Sequence, residues 1–262
     1  IPLAELVAIT TPITSGAYQA FYLTESTDDQ RMKRIAEGTD VPVAKLTGSD
    51  HTIKLHKYGR GLEASYEILR RQRLDMIALH MARLAVQAEV DKVTAAIDIL
   101  VSGDGASGAA TNYNLTTLDS AASAGTMTLK GWLAYKMKFA NPYILTHILV
   151  QEAVALQLMI LNTGSANIPL VQVNAVSGFG GFSPINPGLG DNVRLGWTAD
   201  APALKVVGLD NRFALEQVTE IGANIEEVER FVQRQTQAIY LTEVMGFCVF
   251  DPNAVATLNV NA

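Results

Sequence analysis

Hydrophobic and polar positions change period several times along the chain, and each change marks an element. Residues 1–16 hold no sustained period, and Thr10, Thr11, Pro12, Thr14, Ser15 and Gly16 read as an irregular arm. Residues 17–24 suit a strand by their aromatic content, and a polar stretch, 25–31, follows. Strand signals return at 41–46, where Pro42 restricts the strand to an edge, and at 52–58, which alternates cleanly. Gly59-Arg60-Gly61 predicts a break. These segments form a long, polar-tipped β-excursion that buries little within its own chain and suits a position on a neighbouring copy.

A helical period then takes over, from near Ser65 and Glu67 to about Val101. Leu74, Ile77, Met81, Leu84 and Ala88 recur at spacings of three and four, and Arg73, His80, Arg83, Gln87, Asp91, Thr94 and Asp98 mark another face. At about 1.5 Å per residue such a helix is roughly 50 Å long, several times the usual length, which suggests an extended, flattened protein. Residues 102–126 read as loop. Thr128 is placed to cap a second helix over 129–138, which Asn141-Pro142 ends. A buried strand at 144–150, a short helix at 152–161 and a Gly/Pro/Asn loop at 162–191 follow. Strands are predicted at 193–198, 204–209, 212–219, 227–240 and 244–250, and Asp251-Pro252 stops the last. There is no internal repeat, and the order is that of an α+β chain rather than a βαβ array.

Composition narrows the function classes. The chain has 262 residues, 48% hydrophobic and 18% charged, enough apolar material for a sizeable core. Length alone leaves one or two domains open. The net charge of −6 disfavours a tight, sequence-independent grip on nucleic acid. The one cysteine, Cys248, lies in the apolar run 246–250 and reads as a small buried hydrophobe with no disulfide partner. No apolar run approaches the ~20 residues of a membrane span. The first residues lack the basic region of a signal peptide and an initiating Met, so the chain is expected to be processed or trimmed.

Candidate chemistry is sparse. Gly103-Asp104-Gly105-Ala106-Ser107-Gly108 fits G-x-G-x-x-G, but a helix precedes it where a dinucleotide turn needs a strand, so it reads as a flexible loop. His51, His56, His80 and His147 include no pair spaced for a metal on one helical face and read as surface residues. Glu226, Glu227 and Glu229 read as a solvated strand face rather than an acid/base pair. No catalytic residue, cofactor or metal is expected, and the chain reads as a non-enzyme. The remaining pattern is charge segregation. Basic residues gather at Lys54, Lys57, Arg60, Arg70, Arg71 and Arg73, with Arg31, Lys33 and Arg34 in the excursion. Acidic residues gather at Asp210, Glu216, Glu220, Glu226, Glu227 and Glu229. These are either two solvated faces or the two sides of an inter-subunit contact, where complementarity fixes register more than it adds affinity.

Two stretches carry a resemblance. One is Lys57-Tyr58-Gly59-Arg60-Gly61-Leu62-Glu63-Ala64-Ser65-Tyr66-Glu67-Ile68-Leu69-Arg70, leading into the long helix. The other runs from Phe231-Val232-Gln233-Arg234-Gln235 to Gly246-Phe247-Cys248-Val249-Phe250-Asp251-Pro252-Asn253-Ala254. With the element order across nearly the whole chain, they resemble the major capsid proteins of tailed phages, the Hong Kong-97-type or Johnson fold. No single motif is diagnostic; the specificity lies in the combination.

The resemblance implies an N-terminal arm (1–16), an E-loop (17–61), a P-domain with a spine helix (62–139), an A-domain (140–225) and closing P-domain strands (226–262). It implies hexamers and pentamers tiling an icosahedral shell around packaged double-stranded DNA, assembled in the bacterial host cytoplasm and found in the virion capsid. The implied partners are a scaffolding segment or protease, portal and decoration proteins, and DNA held without tight specific binding; no membrane is involved. Some relatives join an E-loop Lys to a neighbour's Asn with a Glu assisting. Here Arg234 falls near the Asn position and Leu241 near the Glu position, with Glu243 close by, so no covalent cross-link is expected. An encapsulin-like nanocompartment shell is the alternative on the same fold. A nucleotide-using enzyme and a tail-tube or decoration protein are rivals that the Gly103–Gly108 context and the spine helix, respectively, disfavour.

Overall fold

The computed structural model of the chain describes residues 2–14, 16–20, 34–35, 37, 51–71, 74–105, 108–140, 142–163, 168–169, 183–184 and 193–261. After a 3-10 turn at Leu3–Glu5 come strands β1 (Val7–Ile13), β2 (Ala17–Ala20), β3 (His51–Lys54) and β4 (His56–Ser65). Helices α1 (Tyr66–Arg71) and α2 (Leu74–Ser102) follow, then β5 (Thr111–Asn114), α3 (Leu115–Leu118), α4 (Leu129–Lys136), β6 (His147–Val150) and α5 (Glu152–Ile160). Three two-residue strands, β7 (Asn162–Thr163), β8 (Ile168–Pro169) and β9 (Ser183–Pro184), precede β10 (Arg194–Trp197), β11 (Lys205–Leu209) and β12 (Leu215–Glu220). The chain closes with β13 (Ile225–Phe231), β14 (Thr236–Val249), a 3-10 turn at Pro252–Ala254 and β15 (Val255–Asn259).

Two main sheets result. In the first, β14 is the axis: β12 and β13 pair with it antiparallel, β4 pairs with it antiparallel off that path, and β1 lies parallel outside β12. The second is a mixed six-stranded sheet in the order β5-β15-β11-β6-β10-β9. β6 and β11 are buried on both faces, which is why their sequences read as continuous apolar runs. Ile148, Val150, Val206 and Leu258 face Trp132 and Tyr135 of α4 and Val154 and Leu158 of α5. Leu149, Val207, Leu209 and Val255 face the other way, toward Val93, Ala96, Ile97 and Leu100 of α2 and toward Leu215, Met245 and Phe247 of the first sheet. The second half of α2 therefore belongs to the core that the two sheets share.

The helices at 129 and 152 form where capping and period place them. The Thr128 hydroxyl oxygen accepts the Gly131 N–H at 3.1 Å and donates to Asp119 at 2.8 Å, satisfying an orphan donor of the first turn. α4 ends at Lys136, before Asn141-Pro142.

Five expectations need correction. Residues 1–16 are not irregular: β1 is an edge strand, its Pro12 sits where a missing N–H is tolerated, and Leu3 and Leu6 are buried against the shared core. Gly59-Arg60-Gly61 does not break its strand. A Cβ at Gly61 meets the Tyr240 ring at 2.7 Å and one at Gly59 meets Thr242 Cγ2 at 2.9 Å, so these glycines let β4 close onto β14. The predicted strand 227–240 is two strands joined by a turn in which Gln235 takes φ 52°. Asp251-Pro252 is not the last stop: β15 follows and joins β11 and β5 of the six-stranded sheet. β5 itself arises inside the stretch read as loop. The predicted strand at 41–46 lies outside the described residues.

Gly208 in β11 packs against α4. A Cβ there lies 2.8 Å from Leu145 Cδ1 and in closer contact with the Tyr135 hydroxyl, which donates to the Ala256 carbonyl at 2.8 Å. Gly208→Ala is expected to displace Tyr135 and cost about 2–3 kcal/mol from overpacking, read as a lower urea midpoint of the isolated subunit. An unchanged midpoint would mean the ring has room to move.

Candidate assembly surface

The ribbon formed by β13, β14 and β4 extends past the shared core. Every residue of β13 from Ile225 to Arg230 is exposed, and Phe231 is half-buried. Ile225 is 42%, Val228 55% and the turn residue Val232 78% exposed. Glu226 and Arg230 share one face of the strand with Val228, Glu227 and Glu229 share the other with Ile225 and Phe231, and the three glutamates make no salt bridge among the described residues. On the opposite edge of β14, Lys57 and Arg60 of β4 are exposed. Leu241 pairs with Glu226 on one side and with Arg60 on the other. The acidic and basic residues thus sit on opposite edges of one ribbon, and the subunit does not bring them together itself.

Part of the predicted apolar stripe of α2 is exposed, at Ala88, and the side chains of Leu74 and Ile77 lie outside the described residues. Met81 and Leu84 are half-buried, and Lys92 reaches Glu243 of β14 at 2.6 Å and Glu89 at 3.2 Å. Burial opposes the Lys92 charge, but the hydrogen bonds to Glu243 and Glu89 outweigh it and raise the ammonium above its ordinary range. Leu79, Val86 and Val90, on another side of α2, are 69%, 65% and 42% exposed. This second stripe was missed in sequence because it continues into Val93, Ile97 and Leu100, which the core covers.

The remaining candidates fall out as follows. Arg34 is exposed, and Arg31, Lys33 and Arg73 lie outside the described residues. Lys54 ends β3, and Arg70 and Arg71 close α1. Glu220, the last residue of β12, is half-buried. Asp210 and Glu216 are not free for a neighbour: they are 0% and 6% exposed and are engaged within the subunit. Asp210 binds Arg212 at 2.6 Å. His147 is also buried, because β6 lies between β10 and β11. Burial lowers its pKa, and the Glu5 carboxylate at 3.7 Å opposes that shift. His56 and His80 are exposed as expected.

Gly103 and Gly105 take φ 81° and 92°, and Asp104 accepts the Val249 N–H at 3.1 Å. Among the described residues the next element is β5 rather than a helix, so none of them forms a phosphate-binding helix N-terminus after the loop. Among the described residues no group of acidic, His or Cys side chains is arranged for a metal.

The root of the excursion is held by side chains as well as by the β4–β14 ladder. β2 and β3 pair as a small sheet, and Ile53, Tyr18 and Leu55 pack with Ile13, Val218 and Cys248. The Tyr18 hydroxyl donates to Glu216 Oε1 at 2.9 Å, the Thr11 hydroxyl donates to the same oxygen, and the Cys248 thiol lies 3.4 Å from Oε2. Burial and then the Glu216 hydrogen bond push Tyr18 up to about 12. Burial also raises the Cys248 thiol, which leaves it unreactive near neutral pH. Tyr18→Phe is expected to cost about 1 kcal/mol and to speed amide exchange in β2 and β3 without changing β6 or β11. Equal exchange in all four strands would show that the hydroxyl holds nothing.

A family profile described as phage capsid protein matches residues 49–258. No curated protein matches the sequence. Among solved structures, the chain is similar to the capsid of a native GTA particle, with TM-score 0.70 at 12% identity over 100% of this chain and 90% of that one. It is similar to the holo-SrpI encapsulin complex from Synechococcus elongatus, with TM-score 0.62 at 13% identity over 98% and 86% of the two chains. It is also similar to a structure from Microbacterium phage Oxtober96, with TM-score 0.61 at 8% identity over 99% and 91%. Identities this low establish a shared fold.

Proposed function

The chain belongs to the phage capsid protein family, and from that premise we propose that its copies close into hexamers and pentamers tiling an icosahedral shell around packaged double-stranded DNA. It is a coat subunit of the α+β, Hong Kong-97-type architecture, and its role is structural. The observation that supports closure into a shell is the uncovered ribbon and helix: Leu79, Val86, Val90, Val228 and Val232 are all largely exposed in the lone subunit. Patches of this kind on a soluble chain mark interaction surfaces. A shell repeats each modest contact with several neighbours, and closure of the symmetric assembly ties them together.

On this reading, α2 with β4, β12, β13 and β14 forms the P-domain, and the six-stranded sheet with α4 and α5 forms the A-domain. The closing segment 226–262 then divides between them, because β15 returns to the A-domain sheet. The N-terminal arm becomes the parallel strand β1, and residues 17–61 form the E-loop rooted at β2 and β3. The basic set Arg31, Lys33, Arg34, Lys54, Lys57, Arg60, Arg70, Arg71 and Arg73 meets Glu226, Glu227 and Glu229 across subunit boundaries. Assembly takes place in the host cytoplasm, with a scaffolding segment or protease, portal and decoration proteins as partners. DNA slides against the wall, since each phosphate neutralised by Lys or Arg adds affinity and the chain carries a net −6. No described helix is long and apolar enough to cross a membrane.

The test is direct. Purified protein viewed by negative-stain microscopy is expected to show closed shells of uniform diameter. On a denaturing gel these are expected to dissolve to monomers, since Glu243 is engaged by Lys92 and an acceptor Asn is absent at Arg234. A covalent ladder would overturn the second point, and a persistent monomer would overturn the shell. The similarity to an encapsulin shell supports a second reading, a nanocompartment holding cargo enzymes. Particle contents separate the two: nucleic acid from infected cells in one case, a co-purifying enzyme in the other.

A further inference from the structure

His147 opens β6, and its register partners are Arg194 of β10 and Leu209 of β11. The residue is 5% exposed, at the end of the six-stranded sheet where the amino-terminal turn meets it. Glu5 of that turn places Oε2 3.2 Å from Arg194 Nη1 and 3.7 Å from His147 Nε2. One carboxylate therefore ties the residues that lead into β1, at the edge of the first sheet, to two strands of the second. The surroundings place the proton of the neutral ring on Nδ1. Thr146 Oγ1 accepts the Asn211 N–H at 2.9 Å and has the Leu209 carbonyl and Asn211 Oδ1, both at 3.1 Å, to receive its own hydrogen. It is left to accept from His147 Nδ1 at 3.0 Å. Nε2 then turns a lone pair toward Glu5, which accounts for a separation wider than a hydrogen bond. Among the described residues, the charged groups facing the ring are Glu5 from the turn, Arg194 from β10 and Asp210 from the β11–β12 connection, the last held by Arg212.

We propose that His147, Glu5 and Arg194 form an acid-sensitive catch, in which a proton taken up at His147 loosens the amino-terminal turn from the six-stranded sheet. A charge on the ring is shielded from solvent while the turn is in place, and Arg194 beside it already holds Glu5 Oε2. Because β6 is fixed between β10 and β11, the turn is the element that can move to hydrate the ring. Burial lowers the imidazole pKa, Glu5 opposes that shift, and Arg194 adds to it. A folded value below the unfolded one, near about 6.5, gives stability that is complete above that pH and is lost as pH falls toward the folded value. Leu3 and Leu6 anchor the turn in the shared core, so the response is a rise in local opening rather than unfolding of the subunit. The inference stands apart from the shell reading, because every group in it belongs to one subunit.

The test is amide exchange on the full chain. The Glu5 and Leu6 amides donate within the turn to the Pro2 and Leu3 carbonyls, at 3.1 and 2.9 Å, so their protection reports its opening. Between about pH 7 and about pH 5, the range in which histidine changes charge, the protection of both is expected to fall severalfold after correction for intrinsic rates. Val206 to Leu209 of β11 are expected to keep theirs. His147→Gln, uncharged throughout this range, is expected to abolish the pH dependence of the turn. Equal dependence in wild type and His147→Gln overturns the catch, and so does tighter protection of the wild-type turn in acid. A second measurement decides the matter even where the variant does not fold. The His147 imidazole, titrated by NMR in the wild-type chain, is expected to show a midpoint below about 6.5 that coincides with the loss of protection. A midpoint at or above that value, or one unconnected with the exchange of Glu5 and Leu6, overturns the inference.

Discussion

Changing Arg70, Arg71 and Arg73 together to Glu is expected to leave a folded subunit that no longer assembles. Arg70 and Arg71 close α1, and Glu is as good a helix former as Arg, so the local structure has no reason to melt. The change converts three cations into three anions at a surface that, in the proposed assembly, faces Glu226, Glu227 and Glu229 of a neighbour. Attraction becomes repulsion. Like charges set face to face across an interface cost several kcal/mol, and a shell multiplies that cost by every repeated contact. The measurement is a pair: thermal melting of the monomer, expected unchanged, and particle yield, expected near zero. Reversing Glu226, Glu227 and Glu229 to Lys in the same chain is expected to recover particles. Normal assembly of the arginine triple variant would show that the charges are merely solvated.

Asp210→Ala is expected to destabilise the folded subunit markedly. The carboxylate is 0% exposed at the start of the β11–β12 connection. Its Oδ2 accepts the Ile144 N–H at 2.9 Å and an Arg212 guanidinium N–H at 2.6 Å. Its Oδ1 accepts the Arg212 backbone N–H at 3.2 Å and Nε–H at 2.9 Å. Removing the carboxylate leaves the Ile144 and Arg212 backbone N–H groups without this acceptor, while the half-exposed Arg212 guanidinium turns to water, at a cost of about 2–3 kcal/mol. That is a large part of the roughly 5–15 kcal/mol that holds a domain folded.

The pH dependence gives an independent check. Burial opposes ionisation of Asp210, but the hydrogen bonds from Arg212 and Ile144 together outweigh it and hold the carboxyl below the usual carboxylate range. A depressed pKa contributes stability that is complete above the unfolded-state value, near about 4, and is lost as pH falls through the folded value. The melting gap between wild type and Asp210→Ala should therefore be wide at pH 7 and narrow in strong acid. A gap of the same width at both would place the effect in packing rather than in the ion pair.

What could be read from the residues divides along physical lines. α4, α5, β6, β10 and β11 were legible because each buries a full face or carries its own cap, so local pattern and tertiary position agree. β1 was not. Its Thr-Thr-Pro stretch has no clean alternation, and it is a strand only because β12 offers it an edge. Gly59 and Gly61 read as breakers because their purpose is the Tyr240 ring and the Thr242 methyl opposite them, which no local pattern reports. The turn after Phe231 hid because a polar, exposed hairpin alternates like one continuous strand. The acidic set was half legible. Glu226, Glu227 and Glu229 are open as expected, but Asp210 and Glu216 sit beside apolar neighbours whose burial depends on the packing of distant strands. The exposed Leu79–Val90 stripe was read past because only half of it is covered.

The shared carboxylate at Glu216 has a mechanical consequence. Thr11 and Tyr18 both hydrogen-bond to its Oε1, so a tug on the excursion by an adjoining copy reaches the amino-terminal strand through that oxygen as well as through the packing of Ile53 and Tyr18 on Ile13. Strain entering at the rim of the molecule would thus be shared between its opening strand and β12, the strand that carries Glu216.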